Sequence, residues 1–106
     1  MLTSTVLLAT SDHSLVQSVG GTIGLITALH LEVVPSVDMV RERVAKAGVS
    51  LVITHLREGE DPVGTTSLLQ TLAIEAPRVA TLVVSDRLQA AQALSMLRLG
   101  AVDCLG

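Results

Sequence analysis

The residue in this sequence whose side chain could do the most varied chemistry is His55, near the end of the apolar run Leu51–Leu56. Six mostly apolar residues in a row are typical of a strand that is buried on both faces of a parallel sheet. A parallel sheet carries its functional groups just outside the carboxyl ends of its strands. The role of His55 at such a strand end is therefore the main functional question that the sequence poses.

Four roles for His55 are compatible with the sequence. The imidazole could be neutral and fill a polar pocket, hydrogen-bonded near Ser85 or near the loop after the first strand, which is the role we expect. It could instead be phosphorylated as a nucleophile, or titrate as a pH sensor near neutrality. It could also bind a transition metal together with His13 and Asp12, which also fall at a strand end.

The composition limits the class of protein. The chain has 106 residues, 49% of them apolar, which is enough for one globular domain with one core. It contains no Phe, Tyr or Trp and has a net charge of -3, and both features argue against direct contact with nucleic acid. The one cysteine, Cys104, cannot form an internal disulfide, and the apolar runs are too short to span a bilayer. We therefore expect a cytoplasmic protein that has no contact with a membrane.

The strands that would position His55 alternate with helical patterns along the chain. We predict strands over Thr5–Thr10, Leu31–Pro35, Val49–Leu56, Val79–Val84 and Ala101–Leu105. Helical spacing of apolar residues fills the four intervals, over about 15–26, 37–47, 65–76 and 87–99. This order predicts an α/β fold with a doubly wound, five-stranded parallel sheet in the order 2-1-3-4-5, in which the third strand is central.

With that order of elements, the chain resembles the receiver domain of bacterial response regulators, a flavodoxin-like (CheY-like) fold. The resemblance covers nearly the whole chain and depends on three stretches: Leu51–Leu56, Thr81–Ser85 and Leu99–Leu105. The third is similar to the family's Gly-Ala-x-Asp-aromatic-Leu pattern, with Cys104 in place of the aromatic residue. The family's last helix and its lysine would lie beyond Gly106, so we expect residues 1–106 to be the N-terminal part of a longer regulator.

The resemblance also implies which residues occupy the positions of the phosphorylation site. His55 stands where the family has its phosphoacceptor aspartate. Thr10 and Ser11 stand where it has the acidic pair that holds Mg²⁺, with Asp12 adjacent. Of the family's functional residues, the resemblance retains only the hydroxyl residue that takes part in the conformational switch at the end of the fourth strand, as Ser85. Imidazole cannot form an acyl phosphate and is a poor Mg²⁺ ligand, so we expect neither a bound metal nor a cofactor.

The expected function is that of a pseudo-receiver in a two-component type of transcriptional regulator. It would not be an enzyme, and would act by protein–protein contact without aspartyl phosphorylation. In the family such domains often precede a DNA-binding or sigma-54-activating effector. A homodimer would use the fifth strand and a helix from about Arg87 to Leu99, with Arg87, Gln89, Gln92 and Arg98 on its polar side.

Two alternatives remain open at this point. In the first, the domain is a phosphorylated switch whose site is rescued by Asp12 and a neighbouring carboxylate such as Glu58. In the second, it is a nucleotide- or flavin-binding domain, since the fold does not fix the function. The glycine-rich stretch Gly20–Gly24 is a weak phosphate-loop candidate because it falls inside a predicted helix.

Overall fold

A computed structural model describes residues 4–26, 28–46, 48–57, 61, 63–86 and 90–105. The strands within these ranges form one parallel sheet in the order β2-β1-β3-β4-β5. Their bounds are Ser4–Ala9 (β1), Leu29–Val34 (β2), Val49–Leu56 (β3), Ala80–Ser85 (β4) and Asp103–Leu105 (β5). The predicted α/β class is confirmed, and β3 lies in the middle of the sheet.

Helices cover both faces of this sheet. Their bounds are His13–Ile23 (α1), Val40–Val44 (α2), Val63–Glu75 (α3) and Ala90–Arg98 (α4). On one face, Leu7 and Val52 pack with residues of α2 and α3, while Val83 packs with Leu69 of α3 and Met96 of α4. On the other face, apolar residues of α1 pack against Val6, Leu8 and Ile53. The buried clusters are built from aliphatic side chains and Met96.

The sequence prediction was wrong about how the second helical segment begins. Residues Val37–Met39 form a 3₁₀ turn, and the α-helix begins only at Val40. Ser36 precedes the turn with extended backbone but makes no side-chain capping hydrogen bond. The helix also ends earlier than the predicted 47, at Val44 with Ala45 as its C-cap. Gly48, whose φ is +89°, lies beyond that end, directly before β3.

The remaining boundaries differ from the prediction by a few residues. The helix predicted from about 65 begins at Val63, where the Asp61 carboxylate accepts a hydrogen bond from the Val63 amide at 3.0 Å. The last helix ends before Gly100, whose φ is +116°. The predicted start of that helix falls partly on residues 87–89, outside the described residues. The fifth strand is shorter than predicted, beginning at Asp103 rather than Ala101.

The two faces of β4 are covered unequally. Thr81, Val83 and Ser85 are buried beneath the helices on one face. Leu82 and Val84 point to the other face, the one that carries α1, and are only half-buried. Coverage of the sheet by α1 therefore weakens towards the β5 edge. None of the described helices is long and apolar enough to cross a membrane.

Candidate functional site

His55 is the second-last residue of β3, and its ring lies between the ends of the two neighbouring strands. Only 2% of the His55 side chain is exposed, compared with 41% of the Asp86 side chain. The His55 Nδ1 atom is 2.8 Å from Thr10 Oγ1, at the end of β1. The His55 Nε2 atom is 2.7 Å from Asp86 Oδ1, directly after β4. The imidazole thus joins the ends of three adjacent strands.

The partners of His55 define its tautomer. An ionised carboxylate can only accept hydrogen bonds, so His55 Nε2–H donates to Asp86. In the neutral ring Nδ1 then accepts a hydrogen bond from the Thr10 hydroxyl. Thr10 Oγ1 also accepts a hydrogen bond from the Asp12 amide at 3.0 Å. The resulting network runs from the Asp12 backbone through Thr10 and His55 to Asp86.

The other residues of the predicted site have structural contacts of their own. The Asp12 carboxylate caps α1, accepting hydrogen bonds from the amides of Ser14 at 2.9 Å and Leu15 at 3.3 Å. This is the N-cap role that its position suggests, because the first amides of a helix have no partner within the helix. Ser11 is exposed, and its hydroxyl lies 3.4 Å from Arg57 Nη1.

Ser85 is brought to the same edge of the sheet as His55. It is the last residue of β4, only 5% exposed, and pairs in register with Leu56. The next residue, Asp86, donates its amide hydrogen to the Leu56 carbonyl at 3.2 Å. This backbone contact holds the Asp86 side chain at the end of β3, where it meets the imidazole.

The metal-binding alternative for His55 gains no support from this geometry. Within the part of the chain that the structure describes, no three His, Cys, Asp or Glu side chains are grouped as metal ligands. Both ring nitrogens of His55 are already hydrogen-bonded, and one oxygen of the Asp12 carboxylate caps α1. A metal ion bound by these residues would have to break several of these contacts.

The phosphate-loop alternative also loses its structural basis. The stretch Gly20–Ile23 lies within α1, and the Gly24 amide donates to the Gly20 carbonyl at 2.9 Å. A phosphate-binding loop needs amide groups that point at the ligand between a strand and a helix. The amide of Gly24 is instead used within the last turn of α1.

The sequence reading missed the contact between His55 and Asp86. The missed signal is topological: in the order 2-1-3-4-5, β4 is adjacent to β3, and Asp86 directly follows β4. Polar residues after adjacent parallel strands meet at one edge. His55 is paired with Val84 in the sheet, two residues before Asp86.

No protein-family model matches the sequence, and no characterised protein matches it significantly. Solved structures do match its fold. A response regulator from Thermotoga maritima has a TM-score of 0.83 and 16% identity, over 98% of this chain and 84% of that one. An orphan response regulator of H. pylori has a TM-score of 0.80 and 16% identity, over 96% and 80% of the two chains.

A third structure is described as an atypical orphan response regulator with a phosphorylation-independent regulatory mechanism. It matches with a TM-score of 0.80 and 16% identity, over 94% of this chain and 78% of that one. These likenesses, together with the sheet order, define the class: the chain has the fold of a response regulator receiver domain.

Proposed function

We propose that this domain is a pseudo-receiver, which regulates an effector by protein–protein contact without aspartyl phosphorylation. The observation that carries the proposal is the state of His55, at the position where the resemblance expects the phosphoacceptor aspartate. Its ring is buried, and each nitrogen has a hydrogen-bond partner within 2.8 Å. No carboxylate at position 55 is available to form an acyl phosphate.

The same geometry argues against phosphorylation of His55 itself. A phosphoryl group on Nδ1 would displace the Thr10 hydroxyl, and one on Nε2 would displace the Asp86 carboxylate. A ring nitrogen must present its lone pair to the phosphodonor. In the neutral tautomer that carries its proton on Nε2, only Nδ1 has a lone pair in the plane of the ring. That lone pair accepts the hydrogen bond from Thr10, inside a pocket that leaves 2% of the side chain exposed.

Without a phosphoryl group, a switch in this domain must depend on a partner that binds one conformation better than another. The chain that follows β4 is suited to such a role, because Ser85 ends the strand at the site, Asp86 comes directly after it, and α4 is the next helix. In the proposed arrangement an effector domain or partner protein binds near α4 and β5. The regulator would be cytoplasmic and transcriptional, with a DNA-binding or sigma-54-activating effector after this domain.

The competing proposal is a phosphorylated switch whose metal site is rescued by Asp12 and Glu58. Glu58 lies outside the described residues. Asp12 is the N-cap of α1, and Mg²⁺ at its carboxylate would compete with the amides of Ser14 and Leu15. Removing a cap costs about 1 kcal/mol of stability, which weakens metal binding further.

The test is incubation with a small phosphodonor and Mg²⁺, followed by intact mass, on wild type, His55→Ala and His55→Asp. We expect no stoichiometric labelling of any of the three. His55→Asp restores one carboxylate but leaves Thr10 and Ser11 in place of the acidic pair. A conventional receiver domain treated in parallel shows that the donor is active.

Two results would overturn the proposal. Labelling of wild type that is lost in His55→Ala would make His55 a phosphoacceptor. Labelling that persists in His55→Ala and is released by hydroxylamine would show an acyl phosphate on another carboxylate, and would favour the competing proposal.

A further inference from the structure

One edge of the sheet is formed by β2, whose neighbour on the inner side is β1. The carbonyls of Ala28 and Val34, at the two ends of β2, accept hydrogen bonds from amides of the β1 chain, each at 3.0 Å. Because backbone direction alternates along a strand, the even-numbered residues of β2 turn their N–H and C=O groups towards β1. The backbone groups of Leu29, Leu31 and Val33 are therefore directed to the open edge.

The side chains of β2 alternate between an apolar face and a polar face. Leu29, Leu31 and Val33 lie on the face that carries α1, and Val33 is 42% exposed. On the opposite face, His30 is exposed and Glu32 is half-buried. Such an edge is a template for pairing with another strand unless charges or proline block it. The only proline near this edge, Pro35, comes after the strand has ended.

Pairing of β2 with β2 of a second copy has one register that suits these side chains. A two-fold axis makes the two strands antiparallel, and edge-directed residues must then lie opposite one another. Centring the axis on Leu31 places this residue opposite its own copy and Leu29 opposite Val33. In the same register His30 lies opposite Glu32. An axis on His30 or on Glu32 would instead bring two imidazoles or two carboxylates together, and like charges directly opposite destabilise a strand pair.

The register centred on Leu31 also matches the backbone groups at the edge. The amide and carbonyl of Leu31 would bond with those of Leu31 in the second copy, and the Val33 amide would donate to the Leu29 carbonyl. The Leu29 amide is already used, since it donates to the Ile26 carbonyl at 3.1 Å. Pro35 has no amide hydrogen to donate. Pairing would therefore be confined to residues 29–33.

His30 and Glu32 make the edge complementary in charge to a second copy of itself. Within the described residues, Arg43 Nε lies 2.5 Å from Glu32 Oε2, and Glu32 Oε1 makes no hydrogen bond. A carboxylate accepts several hydrogen bonds, so the contact with Arg43 leaves room for an imidazole N–H. The His30 ring can supply that N–H in its neutral and in its protonated form. Opposite Cβ atoms in an antiparallel pair are about 4.5–5.5 Å apart, which brings the two side chains within reach.

We propose that the chain forms a two-fold dimer by antiparallel pairing of β2 with β2 of a second copy, centred on Leu31. A second copy is the occupant because the edge is self-complementary in this register. On the α1 face, Leu29 of the second copy would lie beside Val33, at the open side of an apolar cleft that Val16 and Pro35 border. The inference goes beyond the proposed function, since it does not depend on the state of His55.

The β2 edge lies at the other end of the sheet from β5, so the two candidate surfaces can be tested separately. Sedimentation equilibrium is measured from micromolar to millimolar concentrations on the chain carrying Leu94→Glu, to which association through α4 should not contribute. We expect a monomer–dimer equilibrium. In ¹H–¹⁵N NMR, the amides of Leu31 and Val33 should become protected from hydrogen exchange as the concentration rises. A chain that stays monomeric at millimolar concentration would overturn the inference.

Variants of β2 in the same background locate the interface. His30→Glu places a carboxylate opposite Glu32 and should weaken the dimer at least about tenfold. His30→Lys keeps a donor there and should preserve the dimer. Val33→Pro removes an edge-directed amide hydrogen without breaking a bond to β1, and should abolish the dimer. The control Gln70→Glu, at an exposed position of α3, adds one negative charge and should have no effect.

The fold of each variant is verified by NMR, and the two His30 variants decide the matter if Val33→Pro does not fold. A dimer that survives His30→Glu, or that Gln70→Glu weakens equally, would overturn the inference. Protection of the Leu31 amide that appears only when an effector protein is added would show that a partner's strand occupies the edge, and would overturn it as well. Phosphodonor labelling is a separate readout, so failure of the proposed function would be seen independently.

Discussion

His55 Nε2 and Asp86 Oδ1 lie 2.7 Å apart, although 31 residues separate them along the chain. The contact closes a polar network across three adjacent strand ends, and the Thr10 hydroxyl lies on its other side. A buried imidazole satisfied at both nitrogens stabilises a fold, whereas a nucleophile or metal ligand needs one nitrogen for another group.

Replacing His55 with alanine should lower the free energy of unfolding by about 1–3 kcal/mol. The change removes both hydrogen bonds of the imidazole. The buried Thr10 hydroxyl then loses His55 Nδ1, its acceptor in the wild type. Urea unfolding measures the effect. His13→Ala, at an exposed position, is the control and should change stability little. An unchanged unfolding midpoint for His55→Ala would show that the network contributes nothing to folding.

Millimolar Mg²⁺ should leave the melting temperature unchanged. A ligand far below its Kd adds almost no stability, and the carboxylates nearest the site are used elsewhere. Asp12 caps α1, and Asp86 accepts from His55. Thermal melts followed by far-UV circular dichroism with and without Mg²⁺ test this, with Na⁺ matched for ionic strength. A clear upward shift with Mg²⁺ would mean that Thr10 and Ser11 were wrongly assigned to the acidic-pair positions.

Thr54→Val should stabilise the domain by about 1 kcal/mol. Thr54 is fully buried in β3, and its Oγ1 has no hydrogen-bond partner among the residues that the structure describes. Valine keeps the shape and removes a hydroxyl that folding takes out of water without compensation. Thr54→Ser is the control: it keeps the hydroxyl, loses the methyl group and should be destabilising. If Thr54→Val also lowers the urea midpoint, the hydroxyl has a partner in solution.

The ion pair between Arg41 and Glu75 should give a small dependence of stability on pH. A hydrogen bond from the Arg41 guanidinium, aided by its charge, holds the pKa of the Glu75 carboxyl below the usual value. The stabilisation is therefore present above the unfolded-state pKa of a glutamate, and is lost as pH falls through the lower folded-state pKa.

Urea midpoints of wild type and Glu75→Gln should differ slightly at neutral pH and converge in acid. Because the pair is exposed, added salt should reduce the difference. Glu42→Gln is the control. A difference between wild type and Glu75→Gln that grows in acid would have the wrong sign for this pair.

Self-association through α4 and β5 remains a prediction. On α4, Leu94 and Leu97 are 49% and 42% exposed, and glutamate at either position should favour the monomer if this face forms a dimer. Leu25→Glu, at an 85% exposed position beyond α1, is the matched control. Sedimentation equilibrium over a range of concentrations measures the effect. A wild type that is monomeric at its working concentration, or an equal effect of Leu25→Glu, would contradict the prediction.

The sequence was sufficient to predict the central strand, because a continuous apolar run from Leu51 leaves few other options in an alternating chain. It did not reveal that the second helical segment begins as a 3₁₀ turn. A stripe such as Val37, Val40 and Val44 fits both helix types over its first turn, since both bring residues three apart together. The Asp86 contact could not be predicted from local pattern at all, because it depends on which strand ends are adjacent.

The aliphatic composition of the buried clusters has a practical consequence for following this molecule. A chain without Trp, Tyr or Phe has no aromatic side chain to fluoresce or absorb near 280 nm. In a mixture with an effector, all tryptophan emission would therefore come from the effector. A change in this emission when the complex forms could be attributed to the effector, because this domain contributes no signal that has to be subtracted.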